Sequence, residues 1–172
     1  MRQLRKKEAK KFFKHMRERG KDIRIILENI QYPRNVAGIF RTADAAGVSH
    51  VYLTGITPGP PFAKQLQHIS RGKEQHVHYS THENTADVTK MLRKDKFLLI
   101  AVELTKESIP LERLADLTRL NDRICFIFGS EMHGITKDIL KNHVDQGVYI
   151  PMYGKGASLN VSISVGIVLY SV

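Results

Sequence analysis

Three short stretches of this 172-residue chain hold side chains whose types and spacing could do chemistry. The first is Asn35-Val36-Ala37-Gly38-Ile39-Phe40-Arg41-Thr42, directly after Tyr32-Pro33-Arg34. Pro33 stops any strand before it, and Asn35 belongs to the residues that favour a helix N-cap. Val36, Ile39, Phe40, Ala43 and Ala46 recur at helical spacing and read as a core face. Arg41 is charged and sits between Phe40 and the small, uncharged Thr42. Gly38, one turn earlier, removes a side chain and lets something approach closely.

The second stretch is Phe126-Ile127-Phe128-Gly129-Ser130-Glu131-Met132-His133-Gly134. An apolar strand runs straight into a Gly-rich turn with one carboxylate. In parallel α/β sheets ligands collect at the carboxyl ends of strands, which is where Glu131 stands. The third is Ile150-Pro151-Met152-Tyr153-Gly154-Lys155-Gly156-Ala157-Ser158-Leu159-Asn160, before an apolar helix. Its glycines free the backbone to wrap a ligand, and Ser158 can cap the helix. The glycine and lysine spacing is not that of a P-loop, and no GxGxxG dinucleotide fingerprint occurs. Singly, the three also read as a capped core helix with a snorkelling arginine, an ordinary strand-to-helix turn and a flexible loop.

Periodicity supplies the elements that must position these residues. Residues 3–19 read as a basic helix, with Leu4, Ala9, Phe12, Phe13 and Met16 roughly at helical spacing and Gly20 as a stop. Strands are expected at 23–27, 50–54, 76–79, 97–102, 123–128 and 148–150. Helices are expected at 35–46 (closed by Gly47), 62–69, 83–94, 136–142 and 158–170, with one turn at most at 111–114. The Pro-rich 57–61 is a loop. Strands alternating with helices predict an α/β domain with a mostly parallel sheet flanked by helices on both faces. The expected organisation is a basic N-terminal helical extension, 1–22, and one domain, 23–172.

The net charge is +10, and residues 1–24 carry +8 of it, eleven basic side chains against three acidic ones. A concentrated basic segment suits a polyanion, because each neutralised phosphate releases counterions. It also reads as a solvated helix that aids solubility. Cys125 is the only cysteine, so no intramolecular disulfide forms and a cytoplasmic location is expected. It lies in an apolar run and should be a buried, inert thiol. No apolar run is long enough to span a membrane, and the charged N-terminus lacks the apolar stretch of a secretory signal. His76 and His78 would share a strand face near His82, but no cysteine accompanies them and Glu83 is the only close carboxylate. No metal site is expected.

Order, spacing and content of the three stretches together resemble the TrmH-like, 2′-O-ribose methyltransferase branch of the SPOUT (α/β-knot) superfamily. The resemblance covers residues 23–172. It implies a C-terminal segment threaded into a deep trefoil knot, a homodimer, S-adenosylmethionine as cofactor and tRNA or rRNA as substrate. It places Leu104, Gly129, Ile150, Ser158 and Leu159 around the cofactor. It places Asn35, Arg41, Glu131, Ser158 and Asn160 at catalytic and substrate-positioning positions.

Methyl transfer sets its own demands. The ribose oxygen must lie about 3 Å from the sulfonium methyl and in line. The hydroxyl must lose its proton as the bond forms. The resemblance offers Arg41 as the base. A guanidinium, with its pKa above about 12, more easily grips the adjacent phosphate and stabilises the developing alkoxide. Asn35, Ser158 and Asn160 would orient the ribose, and Glu131 would hold Arg41 or a loop. RNA contacts are expected from Arg5, Lys6, Lys10, Lys14 and Arg17, with Arg71 and Lys73 in Ser70-Arg71-Gly72-Lys73. A base methyltransferase of the same fold, and an RNA-binding or assembly factor without turnover, are the alternatives.

Overall fold

The computed structural model describes residues 2–14 and 20–172. Helix α1 spans Lys6–Lys14. There follow β1 (Asp22–Glu28), α2 (Pro33–Ala46), β2 (His50–Thr54), α3 (Lys64–Ser70), β3 (Tyr79–His82), α4 (Thr85–Lys94), β4 (Leu98–Val102) and β5 (Ile109–Pro110). The chain continues through α5 (Leu114–Thr118), β6 (Arg123–Phe128), α6 (Lys137–Asn142), β7 (Gln146–Tyr149) and α7 (Val161–Leu169). The seven strands form one sheet in the order β3-β2-β1-β6-β4-β7-β5, and every pairing is parallel.

Each central strand is apolar on both faces, because helices cover both. Ile23, Ile25 and Leu27 of β1, with Phe126 and Phe128 of β6, pack into one core with Val36, Ile39 and Phe40 of α2 and Val165, Val168 and Leu169 of α7. Ile26, Cys125 and Ile127 point the other way, into a core with Val88 and Leu92 of α4 and Ile139 of α6. This is the period-2 alternation of a strand, with hydrophobic residues at both phases. Cys125 is buried, as its apolar neighbours predict.

Several boundaries differ from the sequence reading, for local reasons. Helix α2 begins at Pro33, with Tyr32 as its N-cap and no side-chain cap bond. Proline's fixed φ and missing N–H suit the first helical position. Asn35 is therefore inside the first turn and its amide is free for other partners. Helix α7 is capped by Asn160, which accepts from the Ser162 N–H, and not by Ser158. Strand β3 is 79–82, not 76–79, so His76 and His78 precede the strand and do not share its face. His76 stands 3.9 Å from Asp44. Strand β5, two residues long, carries no sequence period. Among the described residues no group of three or more His, Cys, Asp or Glu could hold a metal, and no helix is long and apolar enough to cross a membrane.

Candidate active site

The carboxyl ends of β1, β4, β6 and β7 bring four loops to one edge of the sheet. Carboxylates at those ends lace the loops together. Glu28, the last residue of β1, is buried and accepts from the Thr136 N–H at 2.9 Å and from its hydroxyl at 3.0 Å. Glu103, directly after β4, accepts from the Ile135 N–H at 3.1 Å and the Leu104 N–H at 3.2 Å. The turn after β6 is closed by an antiparallel bridge between Ser130 and Gly134. A Cβ on Gly129 would collide with the backbone of Gly134 and Ile135, so only glycine fits there. Gly134 has φ +65°, and a Cβ on it would strike the Glu103 carboxylate.

Behind these loops lies a cleft of about 680 Å³. Leu104, Gly129, Ile150, Ser158 and Leu159, the five residues expected around a cofactor, all line it. Glu103, Glu131, Tyr149, Met152 and Val161 complete much of the wall. Pockets for small organic ligands run to roughly 300–1,000 Å³ and combine apolar walls with a few polar groups, as this one does. Ser158 is exposed at the rim.

Next to the cleft runs a chain of polar contacts. Glu131 Oε1 accepts from Asn35 Nδ2 at 2.5 Å, and its Oε2 accepts from the Gln31 N–H at 3.3 Å. Asn35 Oδ1 accepts from Asn160 Nδ2 at 3.0 Å. Asn160 Oδ1 accepts from the Ser162 N–H at 2.9 Å and its hydroxyl at 2.6 Å. The carboxylate can only accept, so it fixes which way the Asn35 amide faces, and Asn35 in turn fixes Asn160. Glu131 thus holds Asn35 and the loop before α2. Among the described residues its partners do not include Arg41, one of the two the sequence left open.

Arg41 is exposed on α2 and, among the described residues, makes no side-chain hydrogen bond or ion pair. Its guanidinium is uncommitted. Gly38 faces α7: a Cβ there would lie 3.6 Å from Ser162 Cβ, and one on Gly166 would lie 3.7 Å from Thr42 Cγ2. The close approach expected at Gly38 is therefore that of α7.

The basic residues are distributed less simply. Arg5 precedes α1 and Lys6 opens it, both exposed. Lys10 and Lys14 lie on α1, and Arg17 lies outside the described residues. Arg71 is exposed at the C-cap of α3. Lys73 pairs with Asp44 at 2.7 Å, so part of its charge is spent within the protein.

The sequence reading missed Glu28, Glu103 and Ser162. The first two carry the same signal that marked Glu131, a carboxylate at the carboxyl end of an apolar strand. Ser162 carries none.

A sheet of this order with a ligand-sized cleft at its carboxyl edge defines an α/β enzyme-like domain. Residues 22–170 match the family model described as the SpoU rRNA Methylase family, and the chain belongs to that family. A tRNA (guanosine(18)-2′-O)-methyltransferase of Escherichia coli (strain K12) is 32% identical over 152 residues, 88% of this chain and 63% of that protein. The chain thus spans less than two thirds of that relative's length. The crystal structure of the A. aeolicus TrmH/SpoU tRNA modifying enzyme matches with a TM-score of 0.76 at 28% identity, over 94% of this chain and 81% of that one. An AdoMet-bound rRNA methyltransferase from Sinorhizobium meliloti matches with a TM-score of 0.77 at 25% identity, over 87% of this chain and 55% of that one.

Proposed function

We propose that this protein is an S-adenosylmethionine-dependent RNA 2′-O-ribose methyltransferase acting on tRNA or rRNA. The observation that carries it is the Glu131–Asn35–Asn160 chain of contacts beside a cleft lined by all five expected cofactor residues. Family membership and the activities named for similar proteins support it.

The cleft fits the cofactor on its own terms. Leu104, Ile150 and Leu159 give an apolar wall for a purine, and loop backbone around Gly129 and Ile150 gives neutral donors and acceptors. S-adenosylmethionine, when bound, supplies an electrophilic methyl group. The chain's own residues then have distinct tasks. Asn35 and Asn160, held in fixed orientation, position the ribose by hydrogen bonds. Ser158 adds a hydroxyl at the rim. Arg41, with no partner among the described residues, grips the phosphate beside the target and stabilises negative charge on the 2′-oxygen. Glu131 acts through Asn35 as a positioning residue.

The same proposal includes a division into a basic extension, 1–22, and a catalytic domain, 23–172, in a homodimer in the cytoplasm. The return of α7 onto α2, after the 150–160 loop, supports a C-terminal trefoil knot of the kind the resemblance implies. Ile163 is 54% exposed on α7, and it supports a dimer in which that helix is covered by a second copy. RNA is held by Arg5, Lys6, Lys10, Lys14 and Arg17, with Arg71, and with Lys73 where it can leave Asp44.

Labelled S-adenosylmethionine and bulk RNA lacking the modification test the whole. The RNA is digested to nucleosides and the labelled product identified by mass. A 2′-O-methylated nucleoside is expected, and its base narrows the target. A base-methylated nucleoside overturns the ribose chemistry. No transfer to any RNA, with the cofactor still bound, points to a binding factor instead.

A further inference from the structure

Helix α1 carries an aromatic pair that a merely basic helix has no use for. Phe12 and Phe13 are 58% and 57% exposed, and their rings meet edge to face at 5.4 Å. Both are planar, apolar surfaces left in water. Around them the sequence is lysine-rich, KKEAKKFFK. Lys6, Lys7 and Lys11 are exposed. The one acid of the helix, Glu8, is consumed at its start, where it accepts from Arg2 at 2.8 Å and from the Arg5 N–H at 2.7 Å. Beyond Glu8 the helix is lysine and phenylalanine apart from Ala9.

Charge decides between the occupants such a surface could have. A second copy docking through the same basic helix would set α1 lysines against α1 lysines, so like charges oppose that contact at this face. A polyanion is attracted. Among polyanions, a fully paired duplex offers phosphates but hides its base faces in the stack, where Phe rings gain nothing. Unpaired nucleotides offer both phosphates for the lysines and open π-faces for the rings. We propose that Phe12 and Phe13 stack on unpaired bases of the RNA substrate, so that α1 selects looped or single-stranded RNA over duplex. This rests on the RNA-binding role proposed above for the extension, and it adds the substrate class.

Stacking and phosphate contacts have different signatures. Phosphate contacts set the slope of log affinity against log salt, and stacking does not. The test measures binding of the full chain to two unmodified RNAs of equal length, a hairpin with an unpaired loop and a perfect duplex, across a salt series. Phe→Ala favours helix formation, so F12A/F13A does not threaten α1. The expected result is that F12A/F13A weakens hairpin binding about tenfold or more. It should leave duplex binding and the salt slope unchanged. F12L/F13L, apolar but not aromatic, should lose as much, and F12Y/F13Y should restore binding.

K7Q/K11Q should weaken both RNAs alike and lower the slope by about one unit or more. If F12A/F13A leaves the hairpin preference intact while K7Q/K11Q lowers the slope, the stacking inference falls and the RNA role of α1 stands. If neither pair changes RNA binding, the RNA role falls with it. Retention of binding by F12L/F13L, or a change in the protein's mass in solution on F12A/F13A, makes the pair an apolar protein contact and overturns the inference.

Discussion

Asn35 and Asn160, 125 residues apart in sequence, share a hydrogen bond of 3.0 Å that joins the first turn of α2 to the cap of α7. Each is held from its other side, Asn35 by Glu131 and Asn160 by Ser162. Two amides so constrained each keep one N–H for a further acceptor. Asn35→Ala removes the middle of that chain and leaves Asn160 free to turn. Because Asn35 is half-buried and its partners Glu131 and Asn160 are exposed, unfolding stability should fall by no more than about 1.5 kcal/mol. Turnover per unit KM should fall by about 10²-fold, the scale of a small misplacement at a reacting centre. Steady-state kinetics beside a urea titration check this, and a stability loss matching the activity loss would refute it.

Arg41 gives a cleaner separation. With no partner among the described residues, its removal costs the fold little. Arg41→Ala should lower kcat by about 10²–10³-fold, the range for losing one donor to a developing oxyanion. Cofactor affinity should stay within about twofold. Arg41→Lys keeps charge but not the planar fork and should recover only part of the rate. Calorimetric titration with S-adenosylmethionine and single-turnover rates are the measurements. Full activity in Arg41→Ala would remove it from the mechanism.

Gly129→Ala tests the turn. The added carbon meets the backbone of Gly134 and Ile135, which cannot swing aside as a side-chain tip can. A destabilisation of about 1–3 kcal/mol is expected. Cofactor binding should be lost at temperatures where the protein is still folded. Equilibrium denaturation and cofactor titration on one sample report the two effects.

Acid should loosen the far edge of the sheet before it affects the cleft. Burial, then the positive charges of Arg24, His78 and His82, hold the His50 imidazole below its ordinary value, with Asp22 opposing. A base with a depressed folded-state pKa favours the fold when neutral. His50's contribution is therefore complete above about pH 6.5 and is lost as pH falls through the depressed value. Its Nε2 shares a 2.9 Å hydrogen bond with Ser80, which also bonds His82 at 2.9 Å, so protonation disturbs a chain of three residues. His50→Gln should flatten the fall in denaturation midpoint between about pH 7 and pH 5. An unchanged slope would exclude His50 as the titrating group.

Strand β6 was legible to the residue because five successive apolar side chains after Arg123 can lie only in the middle of a covered parallel sheet. The end of α2 was legible too, since Gly47 takes φ +72° as a helix-closing glycine should. Strand β3 was not. Val77, His78, Tyr79 and Ser80 are all compatible with a strand, and only pairing with β2, Val51 opposite Tyr79, sets where it begins. Asn35 misled in another way. Asparagine is a favoured cap, yet Pro33 fits the first helical position better and moved the start two residues back. In the site, Gly129, Ile150, Ser158 and Leu159 were legible because they sit in recognisable motifs, and Leu104 only through the family resemblance. The work of Glu28 and Glu103 was not. A carboxylate's value there depends on which backbone N–H groups another loop leaves unpaired, for Glu28 108 residues away.

The seam between α2 and α7 has a consequence for how the molecule comes into being. Gly38 faces Ser162 and Thr42 faces Gly166, so α7 settles against a helix made more than 100 residues earlier. A ribosome would have finished every strand of the sheet before Asn160 and Ser162 emerged. Until then Asn35 has Glu131 on one side and nothing on the other. The nascent chain is therefore a nearly complete scaffold with an unset latch, and its polar network closes only once residues 160–162 have followed the sheet.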